Sequence, residues 1–393
     1  MANRAASRFG AVGASATYAV FDRVAELRAQ GVDVLDLGGG EPDFDTPEHI
    51  VDAAVGALHD GFTHYTPSRG VPELLRAVAD KLAKDNGVLV DPASDIVVTP
   101  SAKHALYAAL LTVLDPGDEL LVPTPSWVSY TAMARLIGAR PVQVALDGAN
   151  GFRITRELLE RHVSPRTKAL LVNSPNNPTG RALTREEARA VSQFAAEHDV
   201  LLVADEIYEK ILYDGAEHLS LASLPSCADR TITVNGFSKG YAMTGWRLGY
   251  AAGPTDLMAE LLKVAQHTVG CAGSFVQRAG VAALTGPQEP VQEMTRAYAA
   301  RRDLVVDGLN SLAGVTCSPP DGAFYAFADI TGTDFPDATA FTQWLLDETA
   351  VALMPGPAFG PGGEGHVRLS FATSPRILRE ALGRMGRVLG SRG

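Results

Sequence analysis

Between about residues 95 and 250 the chain alternates short apolar, β-branched runs with longer stretches of helical periodicity, and this alternation limits the possible folds most tightly. The runs are "DIVVT", "DELLVP", "RPVQVAL", "TKALLVN", "DVLLVADE", "RTITVNG" and "WRLGYAAG". Strands separated by helices pair in parallel, because the crossover between them is long enough to hold a helix. "ALLV" and "VLLVA" are apolar at every position, as strands covered on both faces must be. The expected fold class is α/β, with a mostly parallel seven-stranded sheet. Ser101 to Leu114 is apolar at helical spacing and stops at the turn "DPGD". Thr184 and Glu187 form a capping box that opens a helix reaching about His198.

After about residue 285 the pattern changes. A charged helix from Glu289 to Leu312 precedes strand-like "AFYAFADI", a helix near 338–349, the run "HVRLSF" and a closing helix. This reads as a smaller α+β domain. At 393 residues the chain exceeds the usual reach of a single core, so two domains are expected. The expected division is 46–288 for a large α/β domain, with 1–45 and 289–393 forming the small one.

A net charge of −11 opposes a nucleic-acid or anionic membrane partner, so cations for any anionic ligand must be gathered locally. The three cysteines form no C-x-x-C pair, which suits a reducing compartment. The histidines show no metal-ligand spacing, His59 and His64 included, and no metal is expected. The N-terminal stretch lacks an apolar signal core, and "ALYAALLTVL" is too short to span a bilayer. A cytoplasmic location is expected.

Ligands of open α/β sheets sit beyond the carboxyl ends of the strands. The residues standing there are Ser101, Ala102 and Lys103, then Trp127, Asn177, Asp205, Tyr208, Ser238 and Lys239. Singly they have ordinary readings: an aspartate as a helix cap, aromatic side chains as core, "NNPTG" as a turn, a lysine or Arg247 in solvent. Together they suit an anionic, aromatic ligand that also requires an amine. In "HVRLSF" the alternation puts Val367, Leu369 and Phe371 on one face and Arg368 on the polar one. The glycine clusters "LGGGEPDF" and "FGPGGEG" do not fit G-x-G-x-x-G between a strand and a helix, which disfavours a nicotinamide enzyme.

The segments "SPNNPTG", "ADEIYE", "VNGFSKGYAMTGWRLGY" and "HVRLSFATS" resemble the hallmarks of class I and II pyridoxal-phosphate (PLP) aminotransferases of fold type I. "LGGGEPDFDTPEHI", "HYTPSRGVPELLRAVA" and "GAFYAF" extend the likeness over nearly the whole chain, and it is greatest to the bacterial aspartate and aromatic branch. The resemblance implies that Lys239 joins the cofactor's aldehyde and later shuttles a proton. It implies that Asp205 pairs with the pyridine nitrogen, that Asn177 and Tyr208 donate to the phenolic oxygen, and that Trp127 stacks on the ring. Ser238, Arg247 and the backbone of Ser101, Ala102 and Lys103 would hold the phosphate. Arg368 would take the substrate α-carboxylate, aided by backbone near Gly40, with Trp127 and Asn177 beside the substrate. Tyr65 would reach the phosphate of a neighbouring subunit, which implies a homodimer.

The implied reaction is ping-pong transfer of an α-amino group from an L-amino acid, such as aspartate or an aromatic one, to a 2-oxo acid. A PLP-dependent lyase or oxidase of the same fold is the alternative. A regulator built on this domain would need a DNA-binding domain, for which the segment from Met1 to Asp45 is too short. Lys103 is the candidate reader of a side-chain carboxylate. A second basic residue would fall on Gly13, Tyr18 stands where a small aliphatic is common, and "QHTVGCAGSF" offers only His267. The donor stays open at this stage.

Overall fold

The chain enters its fold through α1 (Ala16–Ala29) and a two-residue strand, β1 (Leu35–Asp36), then forms α2 (Glu48–His59) and α3 (Pro72–Lys81). Pro72 sits in the first turn of α3, where a missing N–H leaves no bond unmade. A π-turn over Leu82–Asn86 closes that helix. The computed structural model describes residues 6, 9–10, 12–13 and 16–390, without the side chains of 16–19 and 21.

The expected alternation follows. It runs β2 (Ile96–Thr99), α4 (Ala102–Val113), β3 (Glu119–Thr124), α5 (Ser129–Ile137), β4 (Arg140–Ala145), α6 (Arg156–Glu160), β5 (Thr167–Asn173), α7 (Arg185–Glu197), β6 (Leu201–Asp205), β7 (Thr231–Gly236) and β8 (Gly249–Ala252). All seven strands join one sheet in the order β2-β8-β7-β6-β5-β3-β4. Pairs from β4 through β7 are parallel, and β8 alone runs against both of its neighbours. β2, β3 and β8 are buried at every position, whereas the edge strand β4 exposes Arg140 and Ala145. Leu106, Leu110, Tyr130 and Leu261 cover one face of the sheet, while Leu159, Val191 and Phe194 belong to the core on the other. Thr184 and Glu187 make the predicted reciprocal cap of α7.

The chain continues through α8 (Thr255–Thr268), α9 (Ser274–Thr285), α10 (Glu289–Asn310), β9 (Tyr325–Asp329), α11 (Ala338–Thr349), β10 (Val351–Ala352), β11 (Met354–Pro355), β12 (His366–Ser370) and α12 (Pro375–Gly390). β11, β12 and β9 form an antiparallel sheet. β1 pairs in parallel with β10, Leu35 opposite Val351, which ties the start of the chain to its C-terminal part. On that pairing we propose the division into 46–288 and 1–45 with 289–393. A shared core crosses the line, since Tyr208, Ile211 and Tyr213 pack with Tyr298, Phe324 and Phe371. Among the described residues, no helix is long and apolar enough to cross a membrane.

Candidate active site

β2 ends at Thr99 and the chain turns through Ser101, at φ 106°, into α4. The helix start rests on the sheet because position 249 is a glycine. A Cβ there would stand 2.2 Å from the Ala102 nitrogen, where no side chain fits. The Ser101 hydroxyl caps the helix by accepting from the His104 N–H at 3.3 Å. The Ala102 and Lys103 amides head the helix with no intrahelical acceptor, which makes this end attractive to an anion.

Beside them lies a cavity of about 320 Å³, lined by Ser101, Ala102, Lys103, Trp127, Asn177, Asp205, Tyr208, Ser238, Lys239, Arg247, Gly40 and Arg368. Every site residue expected from the sequence is therefore brought together except Tyr65, which is 96% exposed on the surface. Two larger surface grooves, of about 620 and 730 Å³, contain none of these residues.

Asp205 closes β6 and is buried. Its carboxylate accepts from the Tyr130 hydroxyl at 2.6 Å and from the Ile207 N–H at 3.2 Å. Burial outweighs these donors and pushes the group up to about 6. Lys239 follows β7, and its amine donates to the Gly40 carbonyl. Burial pulls that amine down to about 8; Glu41 opposes the shift, while Arg368, Arg247 and Lys103 assist it. A depressed lysine has the neutral fraction that a nucleophile needs.

Arg368 stands on β12 on the side that the alternation predicted, but that side is no solvated face. The residue is 4% exposed, with its guanidinium 4.4 Å from the Tyr325 ring and 4.8 Å from the Phe359 ring. It donates to Asn177 Oδ1 at 2.9 Å and to the Gly38 carbonyl at 2.5 Å, and its Nε is buried without a partner. An unpaired buried N–H on a guanidinium is a vacant half of a fork that suits a carboxylate. The Tyr208 hydroxyl meets the Tyr325 hydroxyl at 2.9 Å. Trp127 packs edge-on against Tyr130, and the Lys103 amine lies 4.9 Å above the Trp127 ring. Burial, with Arg247 adding to it, lowers the Lys103 amine. Arg247 donates to the Thr244 carbonyl at 2.6 Å.

Phe359 also lines the cavity, as do Tyr130, Asn173 and Tyr325, which the sequence reading did not single out. Aromatic residues on an amphipathic helix or strand look like core until their hydroxyl partners are known. The same segment that presents Asp205 and Tyr208 turns Glu206 and Glu209 the other way. Buried Glu209 pairs there with the buried Lys81 ammonium, and buried Glu206 with His218 at 3.0 Å. Gly13 is exposed, neither it nor His267 lines the cavity, and the side chain of Tyr18 falls outside the described residues.

The arrangement fits PLP on its own chemistry. A buried carboxylate needs a cation opposite it, which a protonated pyridine nitrogen provides. Unpaired helix amides with Ser238 and Arg247 suit a phosphate, and a half-neutral amine suits an aldehyde. Comparison with known proteins agrees. The profile of the family "aminotransferase class I and II" matches residues 32–385. An aspartate aminotransferase of Musicola paradisiaca is 49% identical over 377 residues, spanning 96% of this chain and 94% of that protein. Aromatic-amino-acid aminotransferase 2 of Thermococcus litoralis is 43% identical over 364 residues, 92% of this chain and 93% of its own length. The structure of Thermus thermophilus aspartate aminotransferase with maleate superposes with a TM-score of 0.93 at 44% identity, covering 98% of this chain and 100% of that one. This chain accordingly belongs to the class I and II aminotransferases and is a PLP-dependent enzyme of fold type I.

Proposed function

We propose that this aminotransferase takes the α-amino group from a dicarboxylic L-amino acid of the aspartate type, and from aromatic ones as well, and passes it to a 2-oxo acid. The observation that carries the reading is the convergence of Lys239, Asp205 and Arg368 on one buried cavity. Bound PLP supplies an aldehyde carbon and a protonated ring that withdraws electrons from the substrate α-carbon. Asp205 keeps the proton on the pyridine nitrogen. Lys239 would take the proton from the substrate α-carbon and deliver it to the cofactor carbon that had borne the aldehyde, burial favouring the neutral amine this requires. Arg368 orients the substrate through its α-carboxylate, beside Asn177 and the backbone at Gly40. Ser101, Ala102, Lys103, Ser238 and Arg247 anchor the phosphate. Tyr208 and Asn177 donate to the phenolic oxygen, and Trp127 covers the ring.

Lys103 has no carboxylate partner among the described residues, and its side chain, though exposed, lines the cavity. A side-chain carboxylate on the substrate would complete it, as the maleate in the Thermus thermophilus structure is a dicarboxylate. Lys103→Met should lower kcat/KM for aspartate about 10- to 100-fold, the worth of one charged hydrogen bond, and leave phenylalanine within about threefold. Equal losses for both donors in a steady-state panel would assign Lys103 to the phosphate alone.

A homodimer with shared sites is supported by the exposure of Tyr65 and of Val51, Val55 and Leu58 on α2, apolar surface that a partner could cover. Sedimentation at micromolar concentration should give a dimer, and a monomer would contradict this. Three free thiols suit a cytoplasmic setting, where a thiol count on freshly isolated protein should return all three.

A further inference from the structure

Tyr325 begins β9 and is fully buried. Its hydroxyl meets that of Tyr208 at 2.9 Å, and its ring lies 4.4 Å from the guanidinium of Arg368. We propose that Tyr325 is a positioning residue coupling the α-carboxylate site to the cofactor site, its hydroxyl polarising Tyr208 and its ring carrying Arg368. The inference rests on the assignment of Tyr208 to the cofactor's phenolic oxygen and of Arg368 to the carboxylate.

A phenol has one proton to give. If Tyr208 spends its proton on the cofactor, it can only accept from Tyr325, so the pair has a single direction: Tyr325 donates to Tyr208, and Tyr208 donates onward. Both hydroxyls are buried, and linked donors polarise one another, which makes Tyr208 a stronger donor than it would be alone. The absence of a side chain at Gly40 leaves room for the Tyr325 hydroxyl, because a Cβ at that position would stand 2.9 Å from it. Arg368 is gripped between the rings of Tyr325 and Phe359, so a shift of Tyr325 moves the carboxylate fork as well as the phenolic donor.

Simple packing would be served equally by phenylalanine, and this separates the two roles. The test uses PLP-loaded protein carrying Tyr325→Phe, Tyr208→Phe or both, and reads the pH midpoint of the cofactor's visible band. A phenolic oxygen given a weaker hydrogen bond holds a nearby proton more tightly, so the midpoint should rise in Tyr325→Phe, by less than in Tyr208→Phe. The double variant should match Tyr208→Phe alone, because the Tyr325 hydroxyl acts through Tyr208. An unmoved midpoint in Tyr325→Phe, or additive shifts, overturns the coupling. An unmoved midpoint in Tyr208→Phe overturns the assignment of Tyr208 and the coupling with it. Tyr325→Phe keeps the ring and should leave KM for the amino acid within twofold of wild type, while Tyr325→Leu should raise KM about 3- to 30-fold. An unchanged KM in the leucine variant would remove the ring's part in the proposal.

Discussion

Asp205 is a carboxylate that burial makes harder to ionise. It sits at about 6 when folded against an ordinary value of 3.8, with burial the main cause. Between those values the folded protein holds more protons than the unfolded chain, so stability falls as pH rises from about 4 to 6 and stays lower above that. Two pH units correspond to about 3 kcal/mol, which a pyridinium opposite the carboxylate would offset. Asp205→Asn should therefore raise the melting temperature of cofactor-free protein by about 2–4 °C at pH 7.5, and by less at pH 5, while weakening cofactor binding. Scanning calorimetry at the two pH values checks it, and a lower melting temperature at pH 7.5 would contradict it. Asp205, Lys239 and Arg368 were legible in the sequence because each stands in a motif, at a strand end or alternating position. Tyr130 and Tyr325 were not, since nothing in "WVSYTAM" or "GAFYAF" distinguishes a tyrosine that bonds a neighbour in the site from one that fills the core.

At the scale of the elements, the proposed phosphate end depends on how closely α4 approaches β8. Gly249 permits that approach, so Gly249→Ala should displace the helix start and with it the Ala102 and Lys103 amides. Overpacking of this kind costs about 1–3 kcal/mol, an expected loss of about 5- to 150-fold in PLP affinity if the strain falls on the binding-competent form. Titrating stripped protein with PLP measures it, and an unchanged Kd would show that the helix start does not hold the phosphate. All seven strands of the large sheet could be read in advance as apolar runs between turn signals. β1, β10 and β11 could not, because two-residue strands carry no periodicity and the partner of Leu35 lies at Val351. The π-turn at Leu82–Asn86 left no sequence signal either. Buried contacts fix it, Lys81 with Glu209 and Asn86 with Glu209 at 2.9 Å.

Over the whole molecule, a chain of net charge −11 collects Lys103, Lys239, Arg247 and Arg368 around one cavity, where Asp205 is the acidic lining residue. The cavity is made jointly. β12 and the glycines after β1 contribute Arg368, Gly38 and Gly40, while the strand ends of the large sheet contribute Asp205 and Lys239. The sequence carried the parts in order but not this meeting, which depends on contacts across some 330 residues, such as Arg368 with Gly38. The central claim is that the assembled site carries an amino group from one acid to another and keeps it between the two halves. The most direct measurement is the visible spectrum of PLP-loaded protein titrated with single L-amino acids in the absence of an oxo acid. The account predicts that aspartate bleaches the band, one equivalent per site, and that a 2-oxo acid then restores it. Release of ammonia, or product accumulating while the band persists, would contradict it.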